Sequence, residues 1–274
     1  MPPLLRIFRL NWLRWRAARR TLPHLADAAS RRAFLRHVRR HSSWTRLAVP
    51  TDPSTLVALR ITDLNGETVW CRSGLADLGV VYDTFAGRYH LPPGEARPVR
   101  TILDLGANIG LTAAHLATLF PEARILAVEL DRDNCELARR NTACFGARVE
   151  VLHGAVWSES GEVRYGGLRE SGYAIGETGG RERRAPAFTV EQLIERLGAE
   201  EVDYVKMDIE GAEREVLAAG AAWLGRVRTI KVEVHPDKAS FLYRVGDCIE
   251  ELRRHGFACR PEARHHACVT AVRR

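Results

Sequence analysis

From Val99 onward the apolar positions alternate between strand-length segments and helical stripes. Residues 101–105 are a short apolar run of strand length, and 124–129, 149–153, 202–207 and 229–234 read as further strands. Residues 110–120, 133–145, 190–197, 213–219 and 245–255 are helical segments, and Pro121 and Gly146 close the first two. This alternation predicts a parallel sheet with helices on both faces. Residues 257–260 and 267–272 read as a closing hairpin, which predicts an antiparallel edge. Residues 155–165 predict a turn and an edge strand, and residues 166–187 a long glycine-rich loop.

Before Val99 the texture differs. Residues 55–61 and 67–71 read as strands joined at Asn65-Gly66, a hairpin turn signal, and residues 77–89 read as a helix. Pro92, Pro93, Gly94 and Pro98 form a breaker-rich linker. Nearer the start, Leu5, Phe8, Trp12 and Trp15 recur at helical spacing, with Arg6, Arg9, Arg16 and Arg20 mainly on the other side. A second helix is expected over residues 26–41. The expected organisation is a basic helical extension (1–46), a small α/β region (47–98) and a main α/β domain (99–274).

Charge sharpens this division. Residues 1–46 hold twelve arginines against the single acid Asp27, a balance of +11, while the remaining 29 basic and 33 acidic residues leave −4. A body that grips nucleic acid should itself be basic, so the acidic main domain argues against that partner. The arginine-rich stripe over residues 1–20 suits peripheral contact with an anionic membrane face, or packing on the protein itself, which is the expectation adopted. With 46% hydrophobic and 27% charged residues the chain is of ordinary globular composition, and no apolar run approaches the roughly 18–20 residues of a membrane span. Cys71, Cys135, Cys144, Cys248, Cys259 and Cys268 show no C-x-x-C or zinc spacing. They are expected to be reduced, mostly buried thiols, which points to the cytoplasm.

The candidate chemistry lies at strand ends. Thr101-Ile-Leu-Asp-Leu-Gly-Ala-Asn-Ile-Gly110 is a strand, a glycine turn and a helix start. Asn108 stands where the dinucleotide fingerprint requires glycine, and a Gly-Lys-Ser/Thr phosphate loop is absent. A nucleoside without a pyrophosphate is therefore the expected ligand. Glu129 ends the next strand 19 residues beyond Gly110, where a carboxylate can accept from ribose hydroxyls. Gly154 and Ala155 follow the third strand, where backbone groups can read an adenine edge. The run Lys206-Met-Asp208-Ile-Glu210-Gly-Ala-Glu213 delivers carboxylates to the same sheet edge. Glu213 is read as favouring a helix dipole only. Glu233 and His235 alternate around Val234 at the end of the following strand.

These residues resemble the FkbM family of S-adenosylmethionine-dependent methyltransferases. The resemblance rests on Leu103-Asp-Leu-Gly-Ala-Asn-Ile-Gly110, Ala127-Val-Glu-Leu-Asp131, the Asn134-to-Asn141 helix, Thr189-Val-Glu-Gln-Leu-Ile194, Val205-Lys-Met-Asp-Ile-Glu-Gly-Ala-Glu213 and Val232-Glu-Val-His235. It covers about half the chain and is faint before residue 75. It implies a Rossmann-like class I fold, with a seven-stranded, mostly parallel sheet whose last strand is antiparallel. It implies that Asp104, Gly106, Ala107, Asn108, Gly110, Glu129, Leu130, Gly154, Ala155 and Asp208 surround S-adenosylmethionine. One departure is Leu130, where the family usually has proline.

The implied activity is methylation of a hydroxyl on a sugar or natural-product acceptor. An alcohol is a weak nucleophile, so a base is useful. Asp208 and His235 are the candidates, with Glu210 and Glu233 behind them. A divalent ion at Asp208 is compatible with the sequence, but no ligand set is specified. Ser171 and Tyr173 in the glycine-rich loop are candidate acceptor contacts under a lid, and Tyr89 is a packing residue near the pocket. The rival readings are an RNA methyltransferase that uses the arginine-rich extension, and a non-catalytic binding protein on the same fold.

Overall fold

The computed structural model describes residues 12, 15–40, 55–73, 76–94, 98–166, 174–175, 183–235, 243–262 and 265–274. The chain divides into two compact units, Met1–Arg88 and Tyr89–Arg274.

In the first unit residues 15–21 are helical, followed by helix α1 (Ala28–Arg40). Asp27 starts α1 by accepting from the Ser30 N–H at 2.7 Å. Strands β1 (Leu56–Arg60) and β2 (Thr68–Arg72) form an antiparallel hairpin. Their connection is a 3-10 turn over Thr62–Leu64 that ends at Asn65 and Gly66, so the loop is longer than a two-residue turn. Helix α2 (Asp77–Val81) continues as a wider π-turn over Tyr82–Gly87. Leu5 and Phe8 lie outside the described residues. Trp12 and Trp15 are exposed, with the Arg16 guanidinium over the Trp12 ring. For Trp12 and Trp15 this departs from the expectation that the aromatic stripe packs inward.

The second unit runs through β3 (Thr101–Leu105), α3 (Leu111–Leu119), β4 (Arg124–Glu129), α4 (Arg132–Thr142) and β5 (Val149–His153). Four further strands follow, β6 (Ala155–Val156), β7 (Gly161–Gly166), β8 (Ala174–Ile175) and β9 (Arg183–Phe188). Then come α5 (Val190–Leu197), β10 (Val202–Met207), α6 (Glu213–Ala218), β11 (Val227–Glu233), α7 (Val245–Arg254), β12 (Phe257–Pro261) and β13 (Cys268–Arg273). The main sheet has seven strands in the order β12-β13-β11-β10-β3-β4-β5. β13 pairs antiparallel with both β11 and β12, and the other pairs of this sheet are parallel. The closing hairpin thus inserts its last strand beside β11, and β12 takes the edge. This is the expected Rossmann-like class I methyltransferase fold.

The expected long loop is only partly a loop. β6, β9, β7 and β8 form a second sheet in that order. Arg183-Arg-Ala-Pro-Ala-Phe188 has little β-branched character and contains a proline. Its strand is decided by pairing with β7 and by burial of Ala185 and Ala187. Ser171 and Tyr173 lie outside the described residues.

Side chains alternate across β3. Leu103 and Leu105 join Val205, Ile230 and Trp223 in one core, and Ile102 joins Ile125 and Tyr204 in the other. On the latter face a polar row crosses the sheet: Asp104, Lys206, Lys231 and Thr270 lie in register and are buried. Lys231 Nζ donates to the Tyr89 and Leu91 carbonyls, both at 2.7 Å, and pairs with Glu262. Those bonds tie residues 89–91 to the sheet of the second unit. Asp203 ties β10 to the start of β3 by accepting from the Arg100 and Thr101 N–H groups, and it pairs with Arg228. Asp203→Ala is expected to cost about 1–3 kcal/mol, because these donors lose their acceptor. The check is a lower urea midpoint at unchanged slope.

All six cysteines are free thiols, with Cys71, Cys135, Cys248 and Cys268 buried, Cys259 half-buried and Cys144 exposed. Among the described residues no helix is long and apolar enough to cross a membrane.

Candidate active site

The strand ends of β3, β4, β5 and β10 open onto a cleft lined by Gly106, Glu129, Gly154 and Asp208. The turn after β3 forms its floor. Gly106 has φ +84° and a Cβ there would sit 1.7 Å from the Asp208 carbonyl oxygen, so only glycine lets the turn pass under β10. At Gly110 (φ +80°) a Cβ would meet the Ala138 backbone at 2.8 Å. That glycine packs α3 against α4 and does not line the cleft.

Glu129 stands at the centre of the wall. Its Oε2 accepts from the Asn108 N–H at 2.8 Å, and its Oε1 accepts from the Asp131 N–H at 2.8 Å and from Asn134 Nδ2 at 3.3 Å. Burial raises its pKa to about 7 against the pull of these donors. Three donors leave about one of a carboxylate's four acceptor directions open, which suits a ribose hydroxyl. Asp131 caps α4 through the Asp133 and Asn134 N–H groups and pairs with Arg183 of β9.

Of the ten residues expected around the cofactor, seven line the cleft: Gly106, Asn108, Glu129, Leu130, Gly154, Ala155 and Asp208. Asp104, Ala107 and Gly110 do not, and each is buried behind the lining. Asp104 is fully buried, and its pKa is raised to about 6 by burial, against the nearby Lys206 ammonium at 3.5 Å. Lys206 Nζ also donates to the Gly106 carbonyl at 2.7 Å and pairs with Asp208 at 3.3 Å. Burial works against its charge, but the two aspartates outweigh it and hold the lysine protonated. Lys206 thus links the β3 turn to the acidic rim. The signal for it was a lysine inside an apolar strand. Asn134 and Ile175 were also missed, and Ile175 brings the second sheet to the cleft.

The acidic rim gathers the expected catalytic group. His235 Nε2 lies 3.9 Å from Asp208, 3.9 Å from Glu210 and 3.8 Å from Glu233. Its Nδ1 is 3.0 Å from Glu213 Oε1. Burial opposes the imidazolium, but the Glu213 hydrogen bond and the surrounding carboxylates raise the pKa to about 9. Glu233 is raised to about 7 by burial and by Asp208. Asp208, Glu233 and His235 each bring a donor atom to within 4.8 Å of one another, and we assign no metal to them. Glu213 is fully buried in the first turn of α6 and bonds to His235, contacts beyond the helix-dipole role read for it. Tyr89 stacks on His265 with centroids 4.9 Å apart and does not line the cleft.

The methyltransferase FkbM domain model matches residues 104–259, more than half the chain. The antimetabolite synthetase AmbE of Pseudomonas aeruginosa is 29% identical over 202 residues, covering 58% of this chain and 10% of AmbE. A tRNA1(Val) (adenine(37)-N6)-methyltransferase of Pedobacter heparinus is 28% identical over 151 residues, covering 52% of this chain and 61% of that enzyme. The O-methyltransferase imqG of Aspergillus flavus is 41% identical over 59 residues, covering 21% of this chain and 24% of imqG. In each case the similarity spans less than two thirds of the relative.

Proposed function

The chain belongs to the FkbM methyltransferase family; from that premise we propose that it is an S-adenosylmethionine-dependent methyltransferase and that it methylates a hydroxyl group of a small sugar or natural-product acceptor. The observation that carries this reading is a histidine held beside the cofactor cleft with one ring nitrogen facing its acidic rim. The similarity to a segment of imqG supports oxygen as the acceptor atom. In place of the Asn/Asp-Pro-Pro-Tyr run of amine methylation, β10 is followed by Asp208-Ile209-Glu210-Gly211. The acidic balance outside the first 46 residues also disfavours RNA as acceptor.

Glu129 would hold the ribose, and Leu130, Gly154 and Ala155 would flank the adenine. Bound S-adenosylmethionine supplies an electrophilic methyl group on a sulfonium. His235 Nε2 takes the proton of the acceptor hydroxyl as its oxygen becomes the nucleophile. Asp208, Glu210 and Glu233 orient the acceptor through its hydroxyl groups and stabilise the imidazolium that forms. Alignment of the two reacting partners is a large part of the rate enhancement.

The test is calorimetric titration with S-adenosylmethionine and S-adenosylhomocysteine. Wild type is expected to bind both at micromolar levels, and Glu129→Ala to bind at least about tenfold more weakly, about 1.4 kcal/mol. Labelled methyl transfer to a panel of hydroxylated sugars and natural products then assigns the acceptor. Folded wild type that binds neither compound would leave the chain as a non-catalytic member of the fold. Transfer to RNA alone would replace the acceptor named here.

A further inference from the structure

We infer that Glu213 is a positioning residue that fixes the tautomer and the aim of His235 while holding the cleft-lining loop in the same grip. The inference deepens the O-methylation reading and rests on it.

Glu213 opens α6, a helix of six residues, yet its carboxylate is fully buried and turned back toward the sheet. It makes three contacts. Oε1 accepts from the Ile209 N–H at 3.1 Å, Oε2 accepts from the Gly211 N–H at 2.9 Å, and Oε1 lies 3.0 Å from His235 Nδ1. An ionised carboxylate only accepts, so the proton of that third bond belongs to Nδ1. Nε2 is then the nitrogen that exchanges a proton. It faces Asp208 and Glu210, which line the cleft, and Glu233 beside them. None of those three is within hydrogen-bond distance, so Nε2 remains available to an acceptor hydroxyl.

The backbone explains why this acid, and not a nearer one, does the holding. Between Asp208 and Glu213 the chain turns through Glu210 (φ +55°) and Gly211 (φ +103°). That turn presents the Ile209 and Gly211 N–H groups to one carboxylate. The same turn places Asp208, Ile209 and Glu210 on the cleft wall. Glu213 therefore couples the shape of the wall to the orientation of the base. An oriented base is the general logic of a triad, with a third group setting the tautomer.

Other charges act on the same ring. Asp208, Glu210 and Glu233 favour its cation, as Glu213 does, and Lys206 lies next to Asp208. His265, on the β12–β13 hairpin, contacts Glu233 at 3.6 Å and interacts unfavourably with the imidazolium. Removing the Glu213 charge alone should therefore lower the His235 titration midpoint without abolishing its elevation.

The experiment is nitrogen-15 histidine spectroscopy of the full chain, wild type and Glu213→Gln, with His235 assigned from its loss in His235→Gln. Wild type is expected to hold the neutral ring with the proton on Nδ1. In Glu213→Gln that tautomer preference should be lost and the titration midpoint should fall. The kcat of this variant should drop at least about tenfold, and the alkaline-rising limb of its pH profile should move to lower pH. An unchanged tautomer and midpoint in folded Glu213→Gln would overturn the inference, as would an Nε2–H neutral ring in wild type. That wild-type measurement decides the matter alone if the variant does not fold. The spectroscopic readout needs no acceptor. A tethered Nδ1–H ring in a wild type that methylates no hydroxyl would refute the O-methylation reading, and with it the catalytic purpose of the tether, by a visibly different result.

Discussion

His235→Asn is expected to lower kcat by about 10²–10⁴-fold, the range for loss of a positioned general base, while leaving S-adenosylhomocysteine affinity nearly unchanged. The separation follows from geometry. His235 is absent from the residues that line the cofactor cleft and contacts it through Asp208 and Glu210. A methyl acceptor hydroxyl between the cleft and Nε2 would lose its proton acceptor and keep its other contacts. Single-turnover transfer in wild type and variant, with calorimetry for the cofactor, is the measurement. A variant with wild-type kcat would remove His235 from the mechanism.

The same residue sets the pH dependence. A histidine with a pKa of about 9 is protonated at neutral pH and becomes a base only as pH rises. Activity should therefore increase with pH, with the midpoint of the rise near or below about 9. With saturating cofactor the limb should lie lower than in the free chain, because a sulfonium cation nearby disfavours the imidazolium. The stability contribution has the opposite sense. The pKa is raised above the ordinary 6.5, so the stabilisation is complete below about 6.5 and is lost as pH climbs through about 9.

Gly106→Ala should be the most damaging small substitution, costing more than about 4–5 kcal/mol or preventing folding altogether. Gly256→Ala is the control. Both glycines have φ +84°, but nothing lies within 4 Å of a Cβ at Gly256, whereas the Asp208 carbonyl lies 1.7 Å from one at Gly106. The backbone strain alone should cost about 1–2 kcal/mol at either site. The excess at Gly106 measures the close passage of the β3 turn beneath β10. Thermal unfolding of both variants, with cofactor titration of whatever folds, provides the comparison. Equal effects would show that the turn relaxes around the new methyl group.

The arginine balance of residues 1–46 and the exposed Trp12 and Trp15 set the extension apart from the acidic main domain. They do not bear on the chemistry proposed for the cleft.

β3, β4 and β10 are buried on both faces, so their limits were readable in the chain itself: residues 101–105, 124–129 and 202–207 are strands as expected, and 149–153 forms the expected strand at the sheet edge. Glu129 and Asp208 were legible for the same reason, since an acid that ends an apolar strand must emerge at the sheet's carboxyl edge. The strand Arg183–Phe188 was not legible, because its conformation comes from β7 and β6 and not from its own residues. Nor was the role of Glu213, whose position in sequence fits a helix start equally well. Local propensity and periodicity determined the strands, the helices and the set of acids at one edge. Only the tertiary structure decided which acid is buried, which nitrogen of His235 is tethered, and why Gly106 must be glycine. Those depend on distances between segments far apart in the chain, and no local pattern records them.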